Sequence, residues 1–292
     1  MTEPAPLVSV VVRTVDRPGY LHECLSSIAE QTWPEVEAVV VVDGGPDVGR
    51  LLDRFEGKLR ITSLRNRRPR GRSAAANMAV HKARGQFVGY LDDDDVFYPE
   101  HVATLVGALL DNPSTHVAYT DAYEATQSPS PESFTGYATV GKTVRYADDF
   151  EPWELLLENH VPNLCVMHRR GCFRQVGWFD ERLDMLEDWD LLIRLAFHSP
   201  FVHVKAITAE YRIRTDQSNT ITARRQELED LVLDVRAKYK DRVVPMPASM
   251  LYEVLDLRSE VDRLRRLRGR LPHVRLVRRY PRLRSLARRV RG

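Results

Sequence analysis

Short apolar, β-branched runs return through the first 120 residues, and helical periodicity fills the gaps between them. That alternation restricts the fold more than any other feature. Leu7–Val12 and Val36–Val42 read as buried strands, followed by strands over Leu59–Leu64, Phe87–Leu91 and Val117–Thr120. Between the first two, Leu21, Cys24, Leu25 and Ile28 fall at i, i+3, i+4 and i+7, one face of a helix over Tyr20–Gln31. Further helices are expected over Asp47–Phe55, from a Ser73 cap to Ala83, and from Pro99 to about Leu110. The β-α-β-α order predicts an α/β fold, a Rossmann-like, mainly parallel sheet with helices on both faces. From Asp121 to Ala147 the pattern fails, and SPSPES with scattered Gly suggests a loop. Beyond it the sequence suggests a short helix near Trp153–Glu158, a strand near Cys165–His168, a helix around Trp189–Phe197 and a strand over Phe201–Tyr211. Helices over Thr222–Tyr239 and Leu251–Arg270 follow, so residues 1–221 form the main domain and 222–292 a helical, Arg-rich extension.

No apolar run reaches the ~20 residues of a membrane span, and MTEPAPLVSV lacks the order of a secretory leader. Cys24, Cys165 and Cys172 form no CxxC pair, as expected of reduced thiols in a cytoplasmic protein. His160, His168 and His203 show no metal-ligand spacing and read as structural. Charge is unevenly placed. Residues 258–292 hold 14 Arg, no Lys, one Glu and one Asp, a net +12, so the rest of a chain of net charge +2 carries −10.

In open parallel sheets ligands bind beyond the carboxyl ends of the strands. Four polar clusters follow predicted strands at such ends: Arg13–Arg17, Asp43–Gly45, Asn66–Arg72 and Asp92–Asp95. Four adjacent carboxylates repel, by roughly 1 kcal/mol per pair at ~4 Å in water, and something must compensate. An EF-hand loop needs Gly sixth and Glu twelfth. Counted from Asp92 those positions hold Phe97 and Ala103, and the other starting points fail as well. The remaining readings are a solvated acid turn, a nucleophile motif resembling that of haloacid-dehalogenase-like phosphatases (Asp92 nucleophile, Asp94 acid/base), and a site for Mg²⁺ or Mn²⁺ on a diphosphate. The phosphatase motif belongs on a first strand, whereas here it closes the fourth.

Three stretches in order, VSVVVRTVDRPGYLHECLSSIAEQTWPEVEAVVVVDGG, GRSAAANMAVHKARGQFVGYLDDDDVFYPEHV and RLDMLEDWDLLIRLA, resemble glycosyltransferase family 2 with its GT-A fold, over roughly residues 7–215. The resemblance implies an inverting transferase that uses a nucleoside-diphosphate sugar, UDP- or dTDP-linked, with Mn²⁺ or Mg²⁺. Residues 1–120 would then bind the donor and 121–221 the acceptor. It implies that Asp43 accepts a hydrogen bond from the donor's base, with Thr14, Asp16, Arg17 and Asn66 in the same nucleotide pocket. Asp94 would hold the metal, Asp92 and Asp93 would lie near ribose or sugar, and Asp188 would be the general base with Glu187 binding or orienting the acceptor. Trp189 could stack on a sugar face, and Arg212 and Arg214 could meet the donor phosphates. Two positions depart from the family: Val42 precedes Asp43 where a second acid is common, and Ala76 stands where Arg is common, which passes the phosphate contact to Arg70 or Arg72.

The acceptor expected from the resemblance is a saccharide or a lipid-linked one, and no specific nucleic acid is implied. The tail interleaves Arg with Leu, Val and Tyr, a pattern suited to an anionic membrane surface at the inner face or to an oligomer contact. With each basic residue near such a surface contributing about 1 kcal/mol, a chain ending at Leu257 is expected to fold and bind donor but to lose binding to anionic vesicles. Cosedimentation at rising salt checks this, and a truncated chain that still binds vesicles would remove the anchor.

Overall fold

A computed structural model describes residues 4–147, 149–150, 152–216, 218, 224–243, 252, 255–256 and 259–260. The basic stretch 258–292 and the charged helix expected over 251–270 lie outside these residues apart from the isolated positions.

The first half follows the alternation in the sequence. Strands β1 (Val8–Thr14), β2 (Val36–Asp43), β3 (Arg60–Asn66) and β4 (Phe87–Asp92) pair in parallel in the order β3-β2-β1-β4. Helices α1 (Pro18–Ala29), α2 (Gly49–Leu52) and α3 (Arg72–Lys82) connect them. Pro18 opens α1, where a missing N–H costs nothing and the fixed φ suits a helix. After the two-residue β5 (Val96–Phe97) and helix α4 (His101–Asp111), the sheet continues through β6 (Val117–Pro129), β7 (Tyr137–Tyr146), β8 (Val166–Arg169) and β9 (Phe201–Arg214). The full order is β3-β2-β1-β4-β8-β6-β9-β5, with β7 also paired to β6. Strand β8 runs antiparallel to both β4 and β6, so the parallel order is confined to the first four strands and the β6–β9 pair.

The loop expected over 121–147 is instead a hairpin. β6 runs on to Pro129, and β7 pairs back along it from Tyr137 to Tyr146. The interior of β7 is exposed residue by residue, so no apolar period marked it, and SPSPES covers the end of β6 and the turn.

The sheet is packed on both faces. Val8, Val10 and Val12 meet Leu21, Leu25 and Ile28 of α1 and Leu105 and Leu109 of α4. On the other face Val11, Val39 and Val41 meet Ala75, Ala76 and Ala79, whose small side chains let α3 lie close to the sheet. The same layer holds α5 (Phe173–Val176) through Phe173 and α6 (Glu187–His198) through Trp189, Leu192 and Leu195. Cys24, Cys165 and Cys172 are buried and free.

The first compact unit runs to Lys240 and so takes in residues beyond 221. Helix α7 (Arg225–Lys238) docks on α6: Val235 is fully buried, and Tyr239 donates from its hydroxyl to Asp190 Oδ1 at 2.7 Å. Lys238 Nζ pairs with the same Asp190 and, at 2.8 Å, with Asp180. Asp190 also holds Arg194 at 2.8 Å and is fully buried, so each lost partner leaves a desolvated carboxylate short of a donor. Tyr239→Phe and Lys238→Met are each expected to lower the unfolding free energy by about 1–3 kcal/mol in urea titration. An unchanged midpoint would place α7 outside the cooperative unit.

Candidate active site

The carboxyl ends of β1 to β4 and the first turn of α6 converge at one edge of the sheet. The aspartate run divides there by alternation. Asp92 and Asp94 reach the edge with side chains 33% and 16% exposed, whereas Asp93 and Asp95 turn inward and are 1% and 4% exposed. The outward pair is neutralised by arginines from other elements. Arg13 Nη2 donates to Asp92 Oδ1 at 2.8 Å, and Arg72 Nη2 donates to Oδ2 at 3.1 Å. Asp94 Oδ2 accepts from Arg17 Nη1 at 2.6 Å and from Arg214 Nη2. Burial pulls the Asp92 carboxyl upward, but the two guanidiniums prevail and hold it well below the usual range.

The inward pair is relieved differently. Burial pushes Asp93 up to about 7 against the pull of Arg17, while Thr14 Oγ1 donates to its Oδ2 at 2.6 Å. Arg17 Nη2 lies 2.5 Å from Asp93 Oδ1, off the line of a hydrogen bond. Burial, with the charge of Asp94 added, drives Asp95 well above the carboxylate range, and Arg212 N–H donates to it at 2.8 Å. The two inward acids thus bind protons more tightly than the outward pair, which lessens the repulsion of four adjacent charges.

A single carboxylate oxygen on Asp94 is engaged, and among the described residues Oδ1 carries no hydrogen bond. No group of three His, Cys, Asp or Glu side chains able to hold a metal occurs among these residues. One free hard oxygen fits Mg²⁺ or Mn²⁺ as these ions bind beside a diphosphate, with phosphate and water completing the shell.

Asp43 anchors a loop. Its Oδ1 accepts from Asn66 Nδ2 at 2.7 Å and Arg70 N–H at 2.9 Å, and its Oδ2 accepts from Gly71 N–H at 2.9 Å. Nearly all its acceptor capacity is used within the protein, and the result is a fixed entry to α3 with Gly71 at φ 93°. Asp16 and Arg17 line a cavity of about 300 Å³ between the loops that follow β1 and β2, with Val15, Pro46, Val48 and Phe134, and Asp43 and Asn66 are not part of its lining.

At the start of α6, Glu187 is buried, and its Oε1 accepts from Arg13 Nη1 at 2.5 Å and Arg72 Nε at 3.2 Å. Those guanidiniums outweigh burial and lower its proton affinity. Asp188 is pushed up to about 6, first by burial and then by the charge of Glu187. Trp189 is 2% exposed and donates from Nε1 to the Leu155 carbonyl at 2.6 Å, so it is a core residue and not a platform for sugar. His168 bonds Tyr90 inside the sheet, and His203 lies between Asp121 and Asp149, both structural as expected. Arg13 is the participant that sequence reasoning leaves without a role. Its signal is an arginine one residue from the end of an otherwise apolar, buried strand.

Residues 9–150 match the family model described as glycosyl transferase family 2. An uncharacterized glycosyltransferase of Rickettsia felis is 26% identical over 73% of this chain, which spans only 35% of that protein's length. Among solved structures, S. aureus TarS 1–349 in complex with UDP superposes with a TM-score of 0.61 at 17% identity, over 83% of this chain and 68% of that one. The mannosyltransferase PcManGT of Pyrobaculum calidifontis, in complex with GDP-Man and Mn²⁺, gives 0.55 at 16% identity, covering 87% and 81%. These two likenesses are of fold, a mixed α/β sheet of the GT-A type. Matched segment, sheet and relatives agree in likening the chain to the family 2 glycosyltransferases.

Proposed function

We propose that this glycosyltransferase is inverting and metal-dependent, moving a sugar from a UDP- or dTDP-linked donor to a hydroxyl of a saccharide or lipid-linked acceptor. The observation that carries the reading is Asp188, a carboxylate whose proton affinity is raised to about 6 beside the buried Glu187, electrostatically linked to the Asp92 edge through Arg13 and Arg72. A base with that affinity is ionised at neutral pH yet takes a proton readily, as attack by an acceptor hydroxyl requires. Both oxygens of Asp92 are held by arginines, which does not suit the nucleophile of a phosphohydrolase, and the family sets that alternative aside.

In this reading the cavity beside Asp16 and Arg17 takes the nucleoside, and Asp43 with Asn66 shapes the neighbouring loop. Arg17, Arg72 and Arg214 supply positive charge for the diphosphate, while Thr14 donates to the buried Asp93 behind Arg17. Asp94 would hold Mn²⁺ or Mg²⁺, which when bound neutralises charge on the departing diphosphate. Glu187 fixes the first turn of α6, and Asp188 takes the acceptor proton. No helix among the described residues is long and apolar enough to cross a membrane. The basic tail is proposed to bring the enzyme to an anionic membrane surface.

UDP is expected to bind weakly without a divalent cation and more tightly with Mn²⁺, and Asp94→Ala is expected to abolish the difference. Calorimetric titration in Mn²⁺ and in excess chelator reads both, and equal affinities for the unmodified chain would end the metal assignment. The base has its own signature. Because Asp188 must be ionised and its affinity lies above that of an ordinary aspartate, transfer should decline as pH falls through about 6. Asp188→Asn should keep donor affinity, lose that limb and lower transfer by roughly 10²–10⁴-fold. Near-normal transfer in this variant would assign the base elsewhere.

A further inference from the structure

Arg13 lies in the interior of the sheet, on β1 between β2 and β4, opposite Val41 on one side and Asp92 on the other. Its side chain is 12% exposed. One guanidinium makes three contacts: Nη2 to Asp92 Oδ1 at 2.8 Å, Nη1 to Glu187 Oε1 at 2.5 Å, and Nη1 to the Arg72 carbonyl at 3.3 Å. Arg72 then bridges the same two carboxylates from the outer side, with its own side chain 40% exposed. Two cations and two anions form a closed, neutral quartet that spans the donor edge and the acceptor helix.

A second observation shows that the far end of this quartet is held against local preference. Leu186 has φ 63°, the only non-glycine with positive φ among the described residues, and it stands immediately before Glu187. A leucine keeps that conformation only where its surroundings over-determine it. The turn aims Glu187 inward at Arg13 and Arg72, and it places Asp188 next in line.

We propose that Arg13 is a positioning residue that couples the donor and acceptor halves of the site: it clamps Asp92 to Glu187, and through Glu187 it sets the orientation and charge environment of Asp188. The assignment rests on the proposed role of Asp188, but the coupling can be read without it. A lysine could not replace this arginine, because an ammonium lacks the planar fork that reaches two carboxylates at once. The charges acting on Asp188 are Glu187, which raises its proton affinity, and Arg72 and Arg13, which lower it. Removing the Glu187 charge and removing Arg13 should therefore move Asp188 in opposite directions, a signature that a purely structural contact does not produce.

The test is a titration of the full chain with ¹³C-labelled Asp carboxyls, the Asp188 resonance being assigned by its loss in Asp188→Asn. Glu187→Gln should weaken proton binding at Asp188 and Arg13→Gln should strengthen it, each by roughly tenfold, equal to one pH unit. The double variant Arg13→Gln/Glu187→Gln removes one charge of each sign and should return close to the original midpoint; it remains informative if Arg13→Gln alone does not fold. The limb of the kcat profile should follow the same three shifts. An unmoved Asp188 midpoint in Glu187→Gln, a double variant that stays at the Glu187→Gln midpoint, or shifts of the same sign in the two single variants, overturns the coupling. Shifted midpoints with a kcat limb that stays in place sustain the coupling and defeat only the base assignment.

Discussion

Four ionised side chains at the sheet edge, Arg13, Arg72, Asp92 and Glu187, are the interaction on which the site depends. They come from β1, α3, β4 and the start of α6, elements as far apart in sequence as residues 13 and 187. Taking such charges out of water is costly, and the Coulomb gain offsets the cost only when pairing is complete and geometrically good. Here each carboxylate has two guanidinium partners and each guanidinium two carboxylates. Losing one partner of a buried group such as Glu187 leaves an uncompensated charge, a defect of about 3–5 kcal/mol. The cluster is therefore weak as a source of stability but strict as a specification. Only one relative placement of α3, α6 and the β1–β4 edge satisfies it.

The same logic explains the four aspartates. The chain turns at Asp93–Asp94, closed by the Asp95 N–H donating to the Asp92 carbonyl at 3.0 Å, so consecutive acids need not share an environment. Asp92 and Asp94 meet cations at the edge. Asp93 and Asp95 are buried and shifted toward the neutral form, where Thr14 and the Arg212 N–H hold them. A protonated acid in the interior is a hydrogen-bonding group without the desolvation cost of an ion. The run is two carboxylates at the edge, separated and backed by two buried acids.

Much of the fold was legible because β1, β2 and β4 are buried on both faces, and such strands write themselves as nearly unbroken apolar runs. The hairpin β6–β7 was not legible for the opposite reason: β7 lies on the surface, and a strand without a buried face carries no period to find. Helix α7 was visible, but its docking through Val235 and Tyr239 onto a buried Asp190 depends on α6 and could not be read from either segment alone. Within the site, the acids stood out by clustering, and the resemblance brought Asp94, Glu187 and Asp188 together. What the residues could not disclose was their pairing. Asp43 turned out to be bound by the backbone of the Arg70–Gly71 loop, and Trp189 by the core. Arg13, one basic residue ending an apolar strand, acquired a role only when its two partners were known.

Topology accounts for the position of this edge. From β1 the sheet grows through β2 and β3 to one side, and β4 begins the other side, so the chain reverses its direction of winding between β1 and β4. In open α/β sheets the ligand crevice lies outside the carboxyl ends of the strands at such a reversal, and here α1 and α4 both pack on one face of the sheet. Arg13 and Asp92 are register partners across that division. The crevice would expose two facing strand ends whose backbone groups and charges need partners. Arg13 and Asp92 supply one another, and each has capacity left for a group arriving from outside the sheet. Glu187 on α6 takes part of that capacity and Arg72 on α3 the rest. Helix α6 is thus tied to the edge of the sheet where β1 meets β4, and the two carboxylates are spaced by the reach of a single guanidinium.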